Sequence, residues 1–128
     1  MSGRMTLYFD GGARPNPGRM EIAVVTGGRS HIRDDVGAGD NCTAEWLALR
    51  YAAEIALAAG AQDVLFVGDA RTIVEQALGR WACRSAQLQP HLDAYRRAVA
   101  AIPRVHVRHV RRSKNLAGYA LARRYPRG

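Results

Sequence analysis

Lysine is almost missing from this 128-residue chain, Lys114 being the only one, and cysteine is limited to Cys42 and Cys83. The two cysteines lie far apart and share no ligand-type spacing. That argues against a disulfide framework or a zinc site and fits a reducing compartment. No apolar run approaches the roughly 18 residues needed to span a bilayer, and no signal-type segment opens the chain, so a cytoplasmic protein off the membrane is expected. Internal repeats and low-complexity linkers are also lacking, and the length suits one domain over residues 1–128. A chain of this size buries roughly two-thirds of its unfolded surface, enough to fold without covalent staples.

What the chain has instead is arginine. Nineteen Lys+Arg oppose eleven Asp+Glu, for a net charge of +8. Guanidinium groups hold phosphate through a planar fork of donors, where an ammonium offers a point charge. Such an excess favours a polyanionic partner, nucleic acid ahead of an anionic membrane.

Residues 5–9 are an apolar run reaching Asp10-Gly11-Gly12, which reads as a buried strand stopped by a turn. Pro15-Asn16-Pro17-Gly18 is strong turn chemistry. Ile22–Thr26 reads as a second strand, and Gly27-Gly28 turns the chain into a third near Ser30–Val36. A helix starts near Asn41–Thr43 and runs to Gly60, with apolar residues at helical spacing. Val64–Val67 is a short buried strand ending at Gly68-Asp69. Helices follow over about 72–78 and from Pro90 to about Ile102. Val105–Val110 is the last strand, and a helix from about Asn115 to Arg124 closes the chain. The order β-β-β-α-β-α-α-β-α implies an α/β fold, a five-stranded mixed sheet with helices on both faces.

Sites in such sheets lie at the carboxyl ends of parallel strands. Asp10 and Asp69 occupy positions of that kind, and Glu45 falls in the first turn of the helix between them. Singly, the aspartates also read as turn residues and the glutamate as an acid favoured by the helix dipole. Together they suit phosphodiester hydrolysis, in which two hard cations roughly 3.5–4 Å apart activate water and stabilise the leaving oxygen. Magnesium suits oxygen ligands of this type.

The same segments carry a family resemblance. Phe9-Asp-Gly-Gly-Ala-Arg-Pro-Asn-Pro-Gly18 resembles the opening motif of the ribonuclease H family. Asn41-Cys-Thr-Ala-Glu45 is similar to its second motif, and Val67-Gly-Asp-Ala-Arg71 with Ile73-Val-Glu-Gln76 to its third. Arg112-Ser-Lys-Asn115 through Leu121-Ala122 resembles the last. The resemblance spans the chain in order and looks like the compact prokaryotic type 1 branch. It implies a ribonuclease H-like fold and metal-dependent cleavage of the RNA strand of an RNA–DNA hybrid, by a monomer with no obligate protein partner. Two Mg2+ ions would serve each site in the substrate complex, with Mn2+ as the alternative. Asp10, Glu45 and Asp69 would be the catalytic metal ligands. Gly11, Gly12, Asn16 and Asn41 would line the minor groove, where backbone and amide groups sense 2′-hydroxyls. Arg71, Arg112, Lys114 and Asn115 would contact nucleic acid. Trp81 falls where the family often places an aromatic beside the DNA strand, and it reads equally as a partly buried packing residue.

One position departs from the family. Its fourth acid stands four residues after the last-motif asparagine, and counting from Asn115 gives Tyr119. A phenol is ordinarily neutral at pH 7 and a poor magnesium ligand. Three readings stay open: a nuclease with water or another acid (Asp40 or Glu21) at that place, an enzyme better served by manganese, or a hybrid binder that does not cut. Ala70, Arg71 and Arg19-Met20-Glu21 are smaller departures. Arg104, Arg108, Arg111, Arg112, Lys114, Arg123 and Arg124 crowd the last quarter, as a phosphate-binding surface or as a solvated basic tail. His106 and His109 share the last strand three residues apart, which separates their side chains and assigns them no joint site.

Overall fold

A computed structural model of the chain describes residues 3–124. Its elements are β1 (Met5–Arg14), β2 (Gly18–Thr26), β3 (Arg29–Arg33), β4 (Ala38–Gly39), α1 (Asn41–Ala58), β5 (Asp63–Gly68), α2 (Arg71–Ala77), α3 (Gln89–Val99), β6 (Arg104–His109) and α4 (Leu116–Arg124). A 3-10 turn, Arg112–Lys114, joins β6 to α4. The sheet runs β3-β2-β1-β5-β6, with β4 added beside β2. The hairpin strands β1, β2 and β3 pair antiparallel, and β5 and β6 join parallel to β1. No helix among the described residues is long and apolar enough to cross a membrane.

The expected mixed sheet with helices on both faces is what forms. One face carries Leu7, Phe9, Ile22, Val24, Val64 and Phe66 against α1, α2 and α3, with Trp46 and Tyr95 filling the centre. The other carries Ala23, Tyr8, Val25 and Ile32 against Ala117, Ala120 and Leu121 of α4. Cover on both sides explains why Met20 through Val24 are all buried, where a half-exposed strand would alternate. The Trp46 indole N–H, buried with the core, donates to Gln76 Oε1 at 3.2 Å, so its polar atom is satisfied.

Three local expectations are corrected. β1 does not stop at Asp10; it continues through both glycines to Arg14, antiparallel to β2. Gly11 is there for close approach, not for a turn, because a Cβ on it would overlap the Ala44 carbonyl of α1. The third strand ends at Arg33, three residues early. Gly37, at φ 95, then returns the chain to β2, where Ala38–Gly39 pair with Arg19 and Gly18. Glu45 is the fifth residue of α1, so it lies in the second turn; Asp40 is the N-cap, accepting from the Thr43 N–H at 2.8 Å.

Close packing also constrains the end of β5, just past its ladder with β1. A side chain at Gly68 would overlap the fully buried Phe9 ring. Gly68→Ala is therefore expected to destabilise the protein by about 2 kcal/mol, the usual scale of core overpacking, read as a lower urea midpoint with an unchanged m-value. An unshifted midpoint would mean that the ring has room to move.

Candidate active site

Three elements end at one point. β1 pairs with β5 only as far as Tyr8 opposite Val67, so Asp10 lies just beyond the parallel ladder. Asp69 follows directly on β5. Glu45 comes from α1, which Gly11 admits to the strand; the Gly11 N–H donates to Glu45 Oε1 at 3.1 Å. Carboxylate oxygens of Asp10, Glu45 and Asp69 lie within 4.8 Å of one another, with Glu45 buried and the aspartates half-buried.

Without a cation this grouping is electrostatically unfavourable. Burial, then the Asp69 charge, pushes the Asp10 carboxyl up to about 6. Burial, followed by the charges of Asp10 and Asp69 and the adjoining Asp10 carboxyl, raises Glu45 well above the ordinary carboxyl range. The donor set is all oxygen and all carboxylate, which fits a hard divalent cation and no softer metal.

Asn115 fixes the arrangement. Its side chain is completely buried, and Nδ2 donates to the Phe9 carbonyl and to Asp69 Oδ2, each at 2.9 Å. Oδ1 accepts from the Ala117 N–H at 3.1 Å, starting α4. The expectation that Asn115 touches nucleic acid is corrected: a residue with no exposed surface cannot reach a substrate, and this one ties β1, Asp69 and α4 together.

A cleft of about 570 Å³ adjoins the carboxylates. Among the expected residues it collects Asp10, Gly11, Gly12, Asn41, Glu45 and Arg112, the last close enough to draw the Asp10 carboxyl partly back down. Asn16 is exposed and accepts the Asn41 N–H at 3.0 Å, while Asn41 Oδ1 accepts from the Ala13 N–H at 2.9 Å. Those bonds use each amide oxygen, and among the described residues neither Nδ2 group donates a hydrogen bond. Arg71, Trp81 and Lys114 are exposed and do not line the cleft. Trp81 is 48% exposed and belongs to none of the hydrophobic clusters.

Tyr119 does line the cleft, and its hydroxyl donates to the Ser113 carbonyl at 2.7 Å. Neither suggested substitute acid joins the cluster: Asp40 is spent on capping α1, and Glu21 is paired with Arg14. His106 lies 3.6 Å from Asp63, at the start of β5, whereas the His109 ring donates to the Asp69 carbonyl oxygen at 3.2 Å. Sequence reasoning did not single out Arg14 or Ser113 as site residues. Arg14 joins the Asp10 face only because β1 runs on through both glycines, which the sequence reads as a turn.

Comparisons with known proteins follow the same lines. A family model described as reverse transcriptase-like matches residues 21–125. Ribonuclease HI of Halobacterium salinarum is 31% identical over 125 residues, which is 94% of this chain but 63% of that protein, so this chain spans less than two-thirds of its length. The crystal structure of RNase H1 from Halobacterium salinarum NRC-1 superposes with a TM-score of 0.85 at 29% identity, covering 93% of this chain and 94% of that one. LC11-RNase H1 in complex with RNA/DNA hybrid gives 0.80 at 27% identity over 88% of each.

The raised carboxyls set a pH dependence. A carboxyl that binds its proton more tightly folded than unfolded stabilises the fold when protonated, and that contribution disappears as pH rises through the folded value. For Asp10 it is complete below about pH 4 and lost above about pH 6. In metal-free protein, Asp10→Asn should be more stable than the native chain by about 2 kcal/mol near pH 7.5, with the gap closing towards about pH 4. Thermal melts across that range check it; a gap constant with pH would remove the electrostatic cause.

Proposed function

This chain belongs to the ribonuclease H family, and from that membership we propose that it is a metal-dependent endonuclease cutting the RNA strand of RNA–DNA hybrids. The observation that carries the reading is the convergence of three carboxylates within 4.8 Å, beside an open cleft, in a chain of net charge +8. A negative cluster is costly in a protein that must accept a polyanion, unless cations mediate between the two.

Asp10, Glu45 and Asp69 would hold magnesium, or manganese in its place. Bound divalent cations at such a site supply an activated water and charge stabilisation for the departing 3′-oxygen, leaving a 3′-hydroxyl and a 5′-phosphate. The chain's own groups do the rest. Asn115 would hold the Asp69 carboxylate in place through its bond to Oδ2. The Gly11 N–H holds Glu45 in orientation. Arg112 would add positive charge beside the scissile phosphate. Gly11, Gly12 and the Nδ2 groups of Asn16 and Asn41 would face the minor groove, and Arg71, Trp81 and Lys114 would meet the duplex farther out.

Tyr119 bears on rate more than on binding. Its hydroxyl is committed to Ser113, so this position contributes no carboxylate and the local negative charge is one unit lower than four acids would give. Labelled hybrid incubated with the native chain in Mg2+, and separately in Mn2+, should be cut, and Asp10→Asn should abolish cutting. Tyr119→Asp should raise kcat in Mg2+ about ten- to hundred-fold with little change in KM. Activity only in Tyr119→Asp would make the native protein a hybrid binder. Inactivity of every variant in both ions would overturn the nuclease reading.

A further inference from the structure

The cleft holds a negative charge that this chemistry does not use. Glu21 stands on β2 opposite Gly12 of β1. Cross-strand partners share a sheet face, as do residues two apart on one strand, so Glu21 is on the face of Asp10. Its side chain is 11% exposed and lines the same cleft as Asp10, Glu45 and Asn41. Arg14, on that face too, donates through Nε at 2.9 Å and Nη2 at 2.6 Å, both to Glu21 Oε1. Oε2 accepts no hydrogen bond among the described residues.

Stability does not account for the pair. Apolar side chains in place of a buried ion pair are often as stabilising or more so. A carboxylate in a cleft for nucleic acid also repels phosphate. Two conditions lift that objection: a cation fixed beside it, and a neutral donor on the substrate for its second oxygen. Arg14 meets the first. For the second, the sugar-phosphate backbone of DNA offers no donor, whereas RNA offers the ribose 2′-hydroxyl. Access is open as well: the strand is bare at Gly12, where an added Cβ would find nothing nearer than Asn41 Oδ1 at 3.8 Å. Glu21 is not a substitute metal ligand, since it lies outside the carboxylate cluster and is held by Arg14.

We propose that Glu21, oriented by Arg14, accepts a hydrogen bond from a ribose 2′-hydroxyl of the RNA strand and so helps the cleft select RNA over DNA. This assignment rests on the hybrid reading above. Phosphates flanking that ribose would then meet Arg14 before they met the carboxylate, so the pair presents a polar but not a repulsive surface.

Equilibrium binding tests it, with calcium replacing magnesium to hold off cleavage. The probes are an RNA–DNA hybrid, the same hybrid with a 2′-fluoro RNA strand, which keeps the sugar shape but donates no proton, and duplex DNA of the same sequence. The native chain should bind the hybrid more tightly than either of the others. Glu21→Ala should weaken hybrid binding about tenfold, leave duplex DNA unchanged or slightly tighter, and narrow the gap between hybrid and 2′-fluoro hybrid. Glu21→Gln, which keeps the volume and the bond from Arg14, should fold as the native chain does and narrow the same gap less. A gap that stays full in both variants would overturn the assignment alone, as would equal weakening on hybrid and duplex DNA. A native chain that binds hybrid and duplex DNA equally would overturn the hybrid reading and this one with it.

Discussion

The side chain of Asn115 is the contact on which the rest of the site depends. One fully buried amide spans a separation of 106 residues to reach the Phe9 carbonyl, and it bonds Asp69 and the first turn of α4 as well. The bonds to the Phe9 carbonyl and the Ala117 N–H are buried, where a lost partner costs roughly 1–3 kcal/mol, and the bond to Asp69 is partly buried. Because the three bonds radiate from one planar group, they fix β1, the end of β5 and the start of α4 relative to each other. Asp10, Asp69 and the α4 wall of the cleft are therefore positioned together.

Close approach does the remaining positioning. Gly11 lets the second turn of α1 reach β1, since a Cβ there would overlap the Ala44 backbone. The outcome is a carboxylate cluster compressed by packing, whose charges favour protonation until a cation arrives. The fold opposes full ionisation and the ligand would relieve that opposition, which couples cation binding to stability. Around the cluster the charge is reversed: Arg112 lies close to Asp10, and Arg14 offsets Glu21.

Much of this was legible in the chain. The mixed sheet, the helices on both faces and the gathering of Asp10, Glu45 and Asp69 followed from apolar periodicity and from motif order, since both are local patterns that a strand or helix expresses directly. The errors fell where glycine has two meanings. Gly11-Gly12 reads as a turn because glycine tolerates turns, yet here it serves an extended strand that a helix must touch. Asn115 reads as a surface amide because asparagine is usually exposed. Its burial depends on partners from β1 and β5, and nothing in the local sequence announces them. Glu21 shows the same limit: its opposition to Gly12 is a property of hairpin register, which a loop of two prolines does not reveal.

Residue type and order were enough for the class of the fold, the net positive charge, the three acids and the tyrosine at position 119. These are matters of residue type and spacing, fixed before any long-range contact forms. Long-range packing alone buries Glu45 against Gly11, makes Asn115 a bracket, ties Tyr119 to Ser113, and turns Glu21 to the cleft in the grip of Arg14. Those outcomes depend on which distant backbone and side-chain groups share a volume from which water is excluded. There a hydrogen bond or a charge acquires the strength and direction that it lacks in the open chain.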